Sequence, residues 1–574
     1  MRNGEIAEAF EELASLYELD GAVVYRVVAY RNAAKAIREA GVSVAELAKQ
    51  GRAVELVGVG KTIAEKIDAL LETGSIPSAD KLKQRIPSGL VEITRIPGLG
   101  PKRAKLLHDQ IGVTSIDDLR GAAESGQLKD VKGFGSKAEE NVLAALAAGA
   151  DGRPQARMLL SKALAVGDEL VVTLRDHPSA LRVELAGSAR RRADTVKDLD
   201  IVVASSDPAA LVEAFAGLHA IDSVSTSGEA GAKAITHSGL PVDLRIVPEE
   251  AFGNLLQHFT GSGRHNEALR TEAVRRGLHV SEYGVADDES GGSEAFATEE
   301  EVYERLGMRY IPPELRENRG ELEAAREGRL PKLIELDDIR GDLHMHTTLS
   351  DGHASVEEMA STARELGYDY VAITDHSATH GFGNDVPPDA LLRRLEEIRS
   401  LPDLGITVLG GTESNVLPDG SLDYADDVLE QLDWVIASLH TSFRLSEKEQ
   451  TNRMLSAMEN PLVDAIGHPT GRLIERREAY ALDLDRVIAK AVETGTFLEI
   501  NANPDRRDLN DVYAKAAGEA GVTLVIDSDA HWPRTLANMR YGVATARRAW
   551  ITAEQVANTR PWKQLDKLRK RNTR

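Results

Sequence analysis

Along the chain the spacing of apolar residues changes twice, and the changes divide it into three stretches. In the first, apolar residues recur on one face of helices that follow short glycine turns. Leu56-Val57-Gly58-Val59-Gly60 runs into Thr62 to Ile67, and Ile96-Pro97-Gly98-Leu99-Gly100 into Lys102 to Lys105. Val131-Lys132-Gly133-Phe134-Gly135 runs in the same way into Ser136 to Glu139. Each is a tight reversal that glycine permits, placed ahead of a helix. In the second stretch apolar and polar residues alternate, so Leu181 to Ala186, Asp198 to Val203 and Pro241 to Ile246 predict strands. After a Glu/Arg-rich segment around Glu314 to Lys332, strand and helix alternate to the end. Seven strands are predicted to finish near His346, His376, Glu413, His440, His468, Asn501 and His531, the order of a parallel βα barrel.

Composition changes this picture in a few ways. A chain of 574 residues is too long for one core and implies about four domains. There is no cysteine, which excludes disulfides and thiolate ligands, so a metal must be held by His, Asp and Glu. No long apolar run occurs and charges begin at Arg2, so neither a secretory leader nor a membrane span is expected and a cytoplasmic location follows by default. The net charge of −23 argues at face value against a nucleic-acid partner. It is not evenly spread, however: residues 81–150 carry 11 basic and 8 acidic side chains, and Lys563 to Arg574 carry six basic ones. Clustered metal-binding carboxylates would also add to an acidic total, so the motifs must decide.

One Gly-x-Gly turn before a helix is usually only a turn, although the free N–H groups of the helix start can hold a phosphate. Three copies, the second beside Lys102, Arg103 and Lys105, make Gly58, Gly60, Gly98, Gly100, Lys102, Gly133 and Gly135 candidate DNA-binding residues. They resemble helix-hairpin-helix motifs, which grip DNA backbones without reading sequence. Residues 1–80 also resemble the N-terminal lyase domain of family X DNA polymerases, across Ala29-Tyr30-Arg31 and Gly58 to Lys66. That resemblance implies Lys66 as the amine that attacks the sugar aldehyde of an abasic site, which requires a partly neutral lysine. Arg26 and Tyr25 stand where some relatives have a lysine and a histidine. The commoner arrangement for any such lysine is an exposed side chain paired with a neighbour.

In the middle stretch Gly187-Ser188 precedes Arg190, Arg191 and Arg192, and Asp198 and Asp200 follow on a strand whose period of two points them the same way. Asp243 adds a third carboxylate from another strand. Three converging acids on rigid strands suit two Mg²⁺ or Mn²⁺ ions that would activate a primer 3′ hydroxyl and steady the phosphate. Gly187, Ser188 and Arg191 would receive a triphosphate. This set belongs to nucleotidyltransferases at large. His258-Phe259-Thr260-Gly261-Ser262 with Asn266 and Arg270, and Arg276-Gly277-Leu278 leading to Glu282-Tyr283, resemble the nucleotide-binding motif of family X polymerases. The resemblance implies that Phe259 packs under the incoming sugar, Asn266 contacts the base edge and Arg270 lies near the templating base. His258 replaces the tyrosine common in the vertebrate enzymes and Gly263 replaces an acidic residue.

The last stretch places ligand-type side chains at strand C-termini, where βα barrels put their sites. A lone histidine there is more often a hydrogen-bonded core residue, but the shared placement makes coincidence improbable. The set resembles the PHP family (polymerase and histidinol phosphatase), whose ligand positions are matched by His344, His346, Asp351, His376, Glu413, His440, His468, Asp529 and His531. Nine nitrogen and oxygen ligands could hold two or three ions, Mn²⁺ or Zn²⁺ in preference to Mg²⁺ because of the imidazoles. Decayed PHP domains lack several of these ligands; this chain lacks none, so an active hydrolase is expected.

The expected fold is multidomain. It has N-terminal all-α helix-hairpin-helix domains, an α+β nucleotidyltransferase palm and thumb, and a C-terminal α/β distorted (βα)7 PHP barrel. The expected divisions are a lyase-like domain 1–85, helix-hairpin-helix fingers 86–150, palm 151–250, thumb 251–318, linker 319–338 and phosphoesterase 339–574. Resemblance to bacterial family X polymerases over nearly the whole chain implies a gap-filling DNA repair polymerase with 3′–5′ exonuclease and 3′-phosphatase activity, and further abasic-site cleavage. The expected partners are gapped or primed DNA and deoxynucleoside triphosphates, with no membrane and a monomeric chain. Two alternatives compete: a histidinol-phosphate-like phosphatase with an N-terminal binding module, and a repair scaffold with a silent barrel.

Overall fold

The computed structural model describes residues 1–573 apart from Arg95, Pro97, Lys132, Gly133, 148–156 and Phe382; the expected DNA contact at Gly133 lies outside the described residues. The chain forms two compact units. One comprises Met1–Met158, Lys162–Leu185 and Lys197–Glu249, the other Leu159–Ser161, Ala186–Val196 and Glu250–Arg574.

The first unit begins with helices that share one apolar core, from Ile6, Phe10 and Leu13 through Ile37 and Ile67 to Leu107 and Leu128. The glycine turns fall where the pattern predicts: Gly60 precedes helix Lys61–Thr73, Gly100 precedes Pro101–Ile111 and Gly135 precedes Ser136–Ala147. Gly58 (φ +92°) and Gly98 (φ +83°) occupy the left-handed region, which residues with a Cβ avoid. The unit ends in a five-stranded sheet of β1 (Ala180–Leu185), β2 (Leu199–Ser205), β3 (Ile221–Gly228), β4 (Gly231–Thr236) and β5 (Pro241–Val247). Its order is β1-β2-β5-β4-β3, with β2 and β5 parallel and Asp200 opposite Asp243.

In the second unit, helices Phe252–Thr260, Gly263–Val274 and Glu299–Arg305 surround a small antiparallel sheet between residues 278 and 294. Residues 319–338, expected as a linker from their Glu/Arg content, include a helix Glu321–Arg326 with Glu321, Ala324 and Ala325 buried. Ala325 and Leu333 join the core of Leu269 and Tyr303, so this segment is packed.

The barrel follows. Strands β6 (Gly341–Asp342), β7 (Tyr370–Ile373), β8 (Thr407–Asn415), β9 (Trp434–Ser438), β10 (Ala465–Ile466), β11 (Phe497–Asn501) and β12 (Leu524–Asp527) are hydrogen-bonded in sequence order, all parallel. A bridge between Met345 and Ala530 joins the first strand's extension to the last, which nearly closes the ring. The strands are buried at almost every position, as a sheet covered by helices requires.

Candidate active sites

Two of the three candidate carboxylates come from the sheet of the first unit. Asp200 and Asp243 are register partners on parallel neighbours, so both side chains leave the same face. Asp198, expected on the same strand, lies in the bend one residue ahead of β2, so strand period does not fix its direction. Asp243 is bonded to Arg245 (Nη2–Oδ2 2.9 Å), with Lys233 Nζ at 3.7 Å. In the helical part Lys66 Nζ donates to Ser78 Oγ at 3.1 Å and lies 6.0 Å from the centre of the Tyr30 ring. It is half-buried and has a neutral hydroxyl partner.

The triphosphate-binding candidates belong to the second unit. Gly187 (φ +60°) opens the single helical turn Gly187–Arg190 that carries Ser188. Arg190 donates to Thr260 Oγ1 (2.7 Å) and Glu299 (2.6 Å), and Arg191 to Thr260 O (2.5 Å) and Glu317 (3.1 Å). A Cβ on Gly261 would stand 3.1 Å from Arg191 Nη1, so glycine there keeps the guanidinium seated. Ser262 caps helix Gly263–Val274, its Oγ accepting the His265 N–H. Asn266, expected at a base edge, accepts from Gln257 Nε2 (2.9 Å) and donates to His258 O (2.7 Å), bracing its own helix pair. His258 Nδ1 lies 3.2 Å from Arg270 Nη2 and its ring centre 5.3 Å from that of Phe259. Burial pulls the His258 imidazole below its usual value.

The backbone that follows this turn is gripped by arginines from the barrel, which sequence reading did not single out. Arg507, almost fully buried, donates to Arg192 O at 2.9 Å and lies 3.1 Å from Asp194. Arg472 reaches the other Asp194 oxygen at 2.8 Å, and Arg548 donates to Arg191 O at 2.8 Å.

The barrel candidates do converge. Glu413 is wholly buried, and each of its oxygens faces imidazoles: Oε1 lies 3.1 Å from His440 and 2.8 Å from His468, Oε2 2.8 Å from His376 and 3.3 Å from His344. His346 Nε2 is 3.2 Å from Asp529, and Asp351 lies 3.2 Å from His531 and 3.6 Å from His376. Three clusters could each hold an ion: His346, Asp351, His376 and His531; His344, His346 and Asp529; and His376, Glu413 and His440. All nine sequence-predicted side chains are therefore near one another.

The donor set fits divalent ions. His344 Nε2 and His346 Nε2 are buried and lie 3.3 and 3.7 Å from the buried Glu413 Oε2 without the alignment of a hydrogen bond. Buried polar atoms left this way are costly unless a ligand satisfies them. His468 (φ +28°) and Asp529 (φ +52°) hold backbone conformations unfavourable for non-glycine residues, strain that concentrates at functional sites. Burial pushes His346 down to about 3 and His440 down to about 4, so both imidazoles are neutral donors at neutral pH. Burial raises the Glu413 and Asp529 carboxyls, but the surrounding histidines outweigh it and hold both well below the usual range.

Several supporting residues had no signal in the sequence beyond their place near strand ends. Glu499 Oε1 lies 2.6 Å from His344 Nδ1, and Oε2 takes the His468 N–H, fixing two candidate ligands at once. Asn501 donates to Asp529 at 3.1 Å. Asp375 takes the Thr347 N–H (2.7 Å) and the Ser350 hydroxyl (2.7 Å), holding the loop between His346 and Asp351. Asp342 and Asp527 accept backbone N–H groups of Ser528 and Leu343 behind the candidate ligands. Burial raises both of these carboxyls.

Comparison with known proteins agrees with this layout. Family models match for a helix-hairpin-helix domain at residues 1–76, a SAM-like helix-hairpin-helix tandem at 90–148, a DNA polymerase beta thumb at 255–317 and a PHP domain at 342–503. The DNA polymerase/3′-5′ exonuclease PolX of Bacillus subtilis (strain 168) is 39% identical over 576 residues, covering all of both chains. A probable phosphatase of Thermoanaerobacter sp. (strain X514) is 33% identical over 232 residues, 38% of this chain and 89% of its own. A probable phosphatase of Acetivibrio thermocellus is 32% identical over 203 residues, 33% of this chain and 78% of its own. The phosphatases correspond to the PHP part alone. Among the described residues no helix is long and apolar enough to cross a membrane.

Proposed function

The chain belongs to the family X DNA polymerases that carry a C-terminal PHP domain, and from that premise we propose a repair enzyme with two metal-dependent sites. One fills short gaps by template-directed nucleotidyl transfer, with a palm over 151–250 and a thumb over 251–318. The other, over 339–574, is a 3′–5′ exonuclease and 3′-phosphatase. The observation that carries the hydrolytic half is the convergence of His344, His346, Asp351, His376, Glu413, His440, His468, Asp529 and His531 on one buried centre.

Asp198, Asp200 and Asp243 would hold Mg²⁺ or Mn²⁺ at the polymerase site, and the barrel ligands two or three Mn²⁺ or Zn²⁺. When bound, such ions supply Lewis acidity toward the phosphate and toward the attacking oxygen. The chain's own part is to hold them and to orient the substrate. Glu413, with two imidazoles at each oxygen, would help to hold them. Glu499 fixes the His344 ring so that Nε2 faces the centre. Gly187, Ser188 and Arg191 would take the triphosphate, and Phe259 would lie under the sugar. The glycine turns at Gly58, Gly60, Gly98 and Gly100, with Lys102, would hold the DNA backbone. The partners are gapped DNA and deoxynucleoside triphosphates, and the chain acts as a monomer in the cytoplasm. A Lys66 lyase step is a further activity, read by borohydride trapping on abasic DNA.

A gapped-duplex assay with wild type, Asp200→Ala and His344→Ala in parallel tests both halves. Asp200→Ala is expected to abolish extension while keeping nucleotide release from the 3′ end, and His344→Ala the reverse. Extension that survives Asp200→Ala, or release that survives His344→Ala, overturns that half. Release of phosphate from histidinol phosphate in place of nucleotide release would favour the small-molecule phosphatase.

A further inference from the structure

Beside the buried hydrolytic centre two aromatic rings reach the surface. Trp532 directly follows the ligand candidate His531, and His353 follows Asp351 by two residues. Their rings stack with centroids 4.0 Å apart and planes 22° apart. The loops that carry them are tied together: the His353 N–H donates to His531 O at 2.8 Å, and His531 Nε2 lies 3.2 Å from Asp351. The stack is therefore built on the two loops whose previous residues face the metal cluster. Trp532 is nonetheless 38% exposed and His353 is exposed. Large aromatic rings left at the surface mark contact sites more often than exposed aliphatic residues do. The Arg534 guanidinium lies 4.7 Å from the centre of the Trp532 ring, which adds a cation to the same spot.

We propose that Trp532 and His353 form a stacking subsite for the terminal nucleobase of a single-stranded 3′ end. The base takes the place of the Arg534 guanidinium on the indole, and Arg534 turns to the phosphate backbone. An exposed cation–π contact is weak and exchangeable. Base–aromatic stacking is stronger, and it tolerates any sequence because every base has a π face. Unpaired bases are held in this way, on aromatic rings and arginine planes, by proteins that bind single strands. A phosphoester without a base has no use for such a platform, so the subsite selects polynucleotide ends over small phosphoesters. This inference rests on the hydrolytic reading above and adds what that centre recognises.

The test uses the full-length protein with Mn²⁺ and two single-stranded oligonucleotides, one ending in an ordinary nucleotide and one in a tetrahydrofuran residue that lacks the base. Wild type is expected to favour the base-bearing end by about tenfold in kcat/KM. In W532A that preference falls to near one, and W532F, which keeps a stacking ring, retains most of it. A W532A variant that slows both ends by one factor would show that Trp532 only supports His531, and an unchanged preference would also overturn the proposal. If wild type releases nothing from either end, the hydrolytic reading has failed, and stacking is decided by binding. In EDTA, a 3′-terminal 2-aminopurine should then be quenched by wild type and W532F and not by W532A; equal quenching by all three overturns the subsite.

Discussion

Glu499 is one of the barrel's buried carboxylates that sequence reading named only as part of a strand end. Strand β11 buries it, and its two oxygens serve the His344 ring and the His468 backbone. Removing its charge leaves both candidate ligands in place but frees the His344 ring to turn and weakens its basicity. Glu499→Gln should therefore lower affinity for Mn²⁺ by about 10- to 100-fold. Metal titration of the purified protein, followed by nucleotide release at saturating Mn²⁺, checks this. Affinity should fall while activity at saturation largely recovers; unchanged affinity would remove Glu499 from the supporting role. The contrast with the nine candidate ligands explains what could be read early. His, Asp and Glu at strand ends announce themselves by residue type and strand period. An orienting carboxylate differs only in what it touches, and Glu499 touches residues 31 and 155 positions away.

At the scale of elements, helix Glu299–Arg305 shows how a charge can be both buried and stabilising. It begins with a capping box, Thr298 Oγ1 accepting the Glu301 N–H while the Glu301 side chain takes the Thr298 N–H. Glu299, next to that cap, is buried between Arg316 (2.5 Å) and Arg190 (2.6 Å), and the Arg316 side chain is fully buried. Burial raises the Glu299 carboxyl, but the two arginines outweigh it and bring it down to about 2. An ordinary glutamate titrates near 4.5, so the carboxylate contributes about 3 kcal/mol. That contribution is complete above about pH 4.5 and is lost as pH falls toward 2. Glu299→Gln leaves Arg316 without its counter-charge and should destabilise this element by about 3–5 kcal/mol at neutral pH. Hydrogen exchange of the 299–305 amides checks it: wild-type protection should fall below pH 4.5, while the variant starts lower and changes little. Parallel pH profiles in the two proteins would exclude the assignment. The glycine hairpins and the order of the barrel strands were legible because local periodicity dictates them. The packed helix Glu321–Arg326 was not, since its charges are spent on partners such as His265, which meets Glu321 at 2.7 Å.

At the scale of the whole molecule, the barrel arginines give the C-terminal fold a part in holding the candidate triphosphate turn. The segment from Arg191 to Asp194 continues that turn and lies four residues ahead of Asp198 in the chain. Arg507, Arg472 and Arg548 fix its carbonyls and its aspartate. No sequence pattern could have revealed this grip, because its two sides are separated by 315 residues at Arg507–Arg192 and 357 at Arg548–Arg191. Arg507 also sits at φ +47°, a conformation kept only where surrounding contacts enforce it. Arg507→Ala would remove the bonds to Arg192 O and Asp194 and give the segment slack. A group that positions a turn lowers turnover when lost, since misplacement by about 1 Å can cost about 100-fold. Primer extension by Arg507→Ala should therefore fall by about ten- to a hundredfold in kcat, with a smaller change in KM for the nucleotide. Arg507→Lys keeps a cation at the same place and should recover part of kcat, which simple destabilisation of the barrel would not predict. Nucleotide release from 3′ ends, measured on the same preparations, separates the two cases: a general collapse of the barrel would lower it in step with extension. If extension is unchanged in Arg507→Ala, or if both activities fall together and Arg507→Lys rescues neither, the grip has no positioning role.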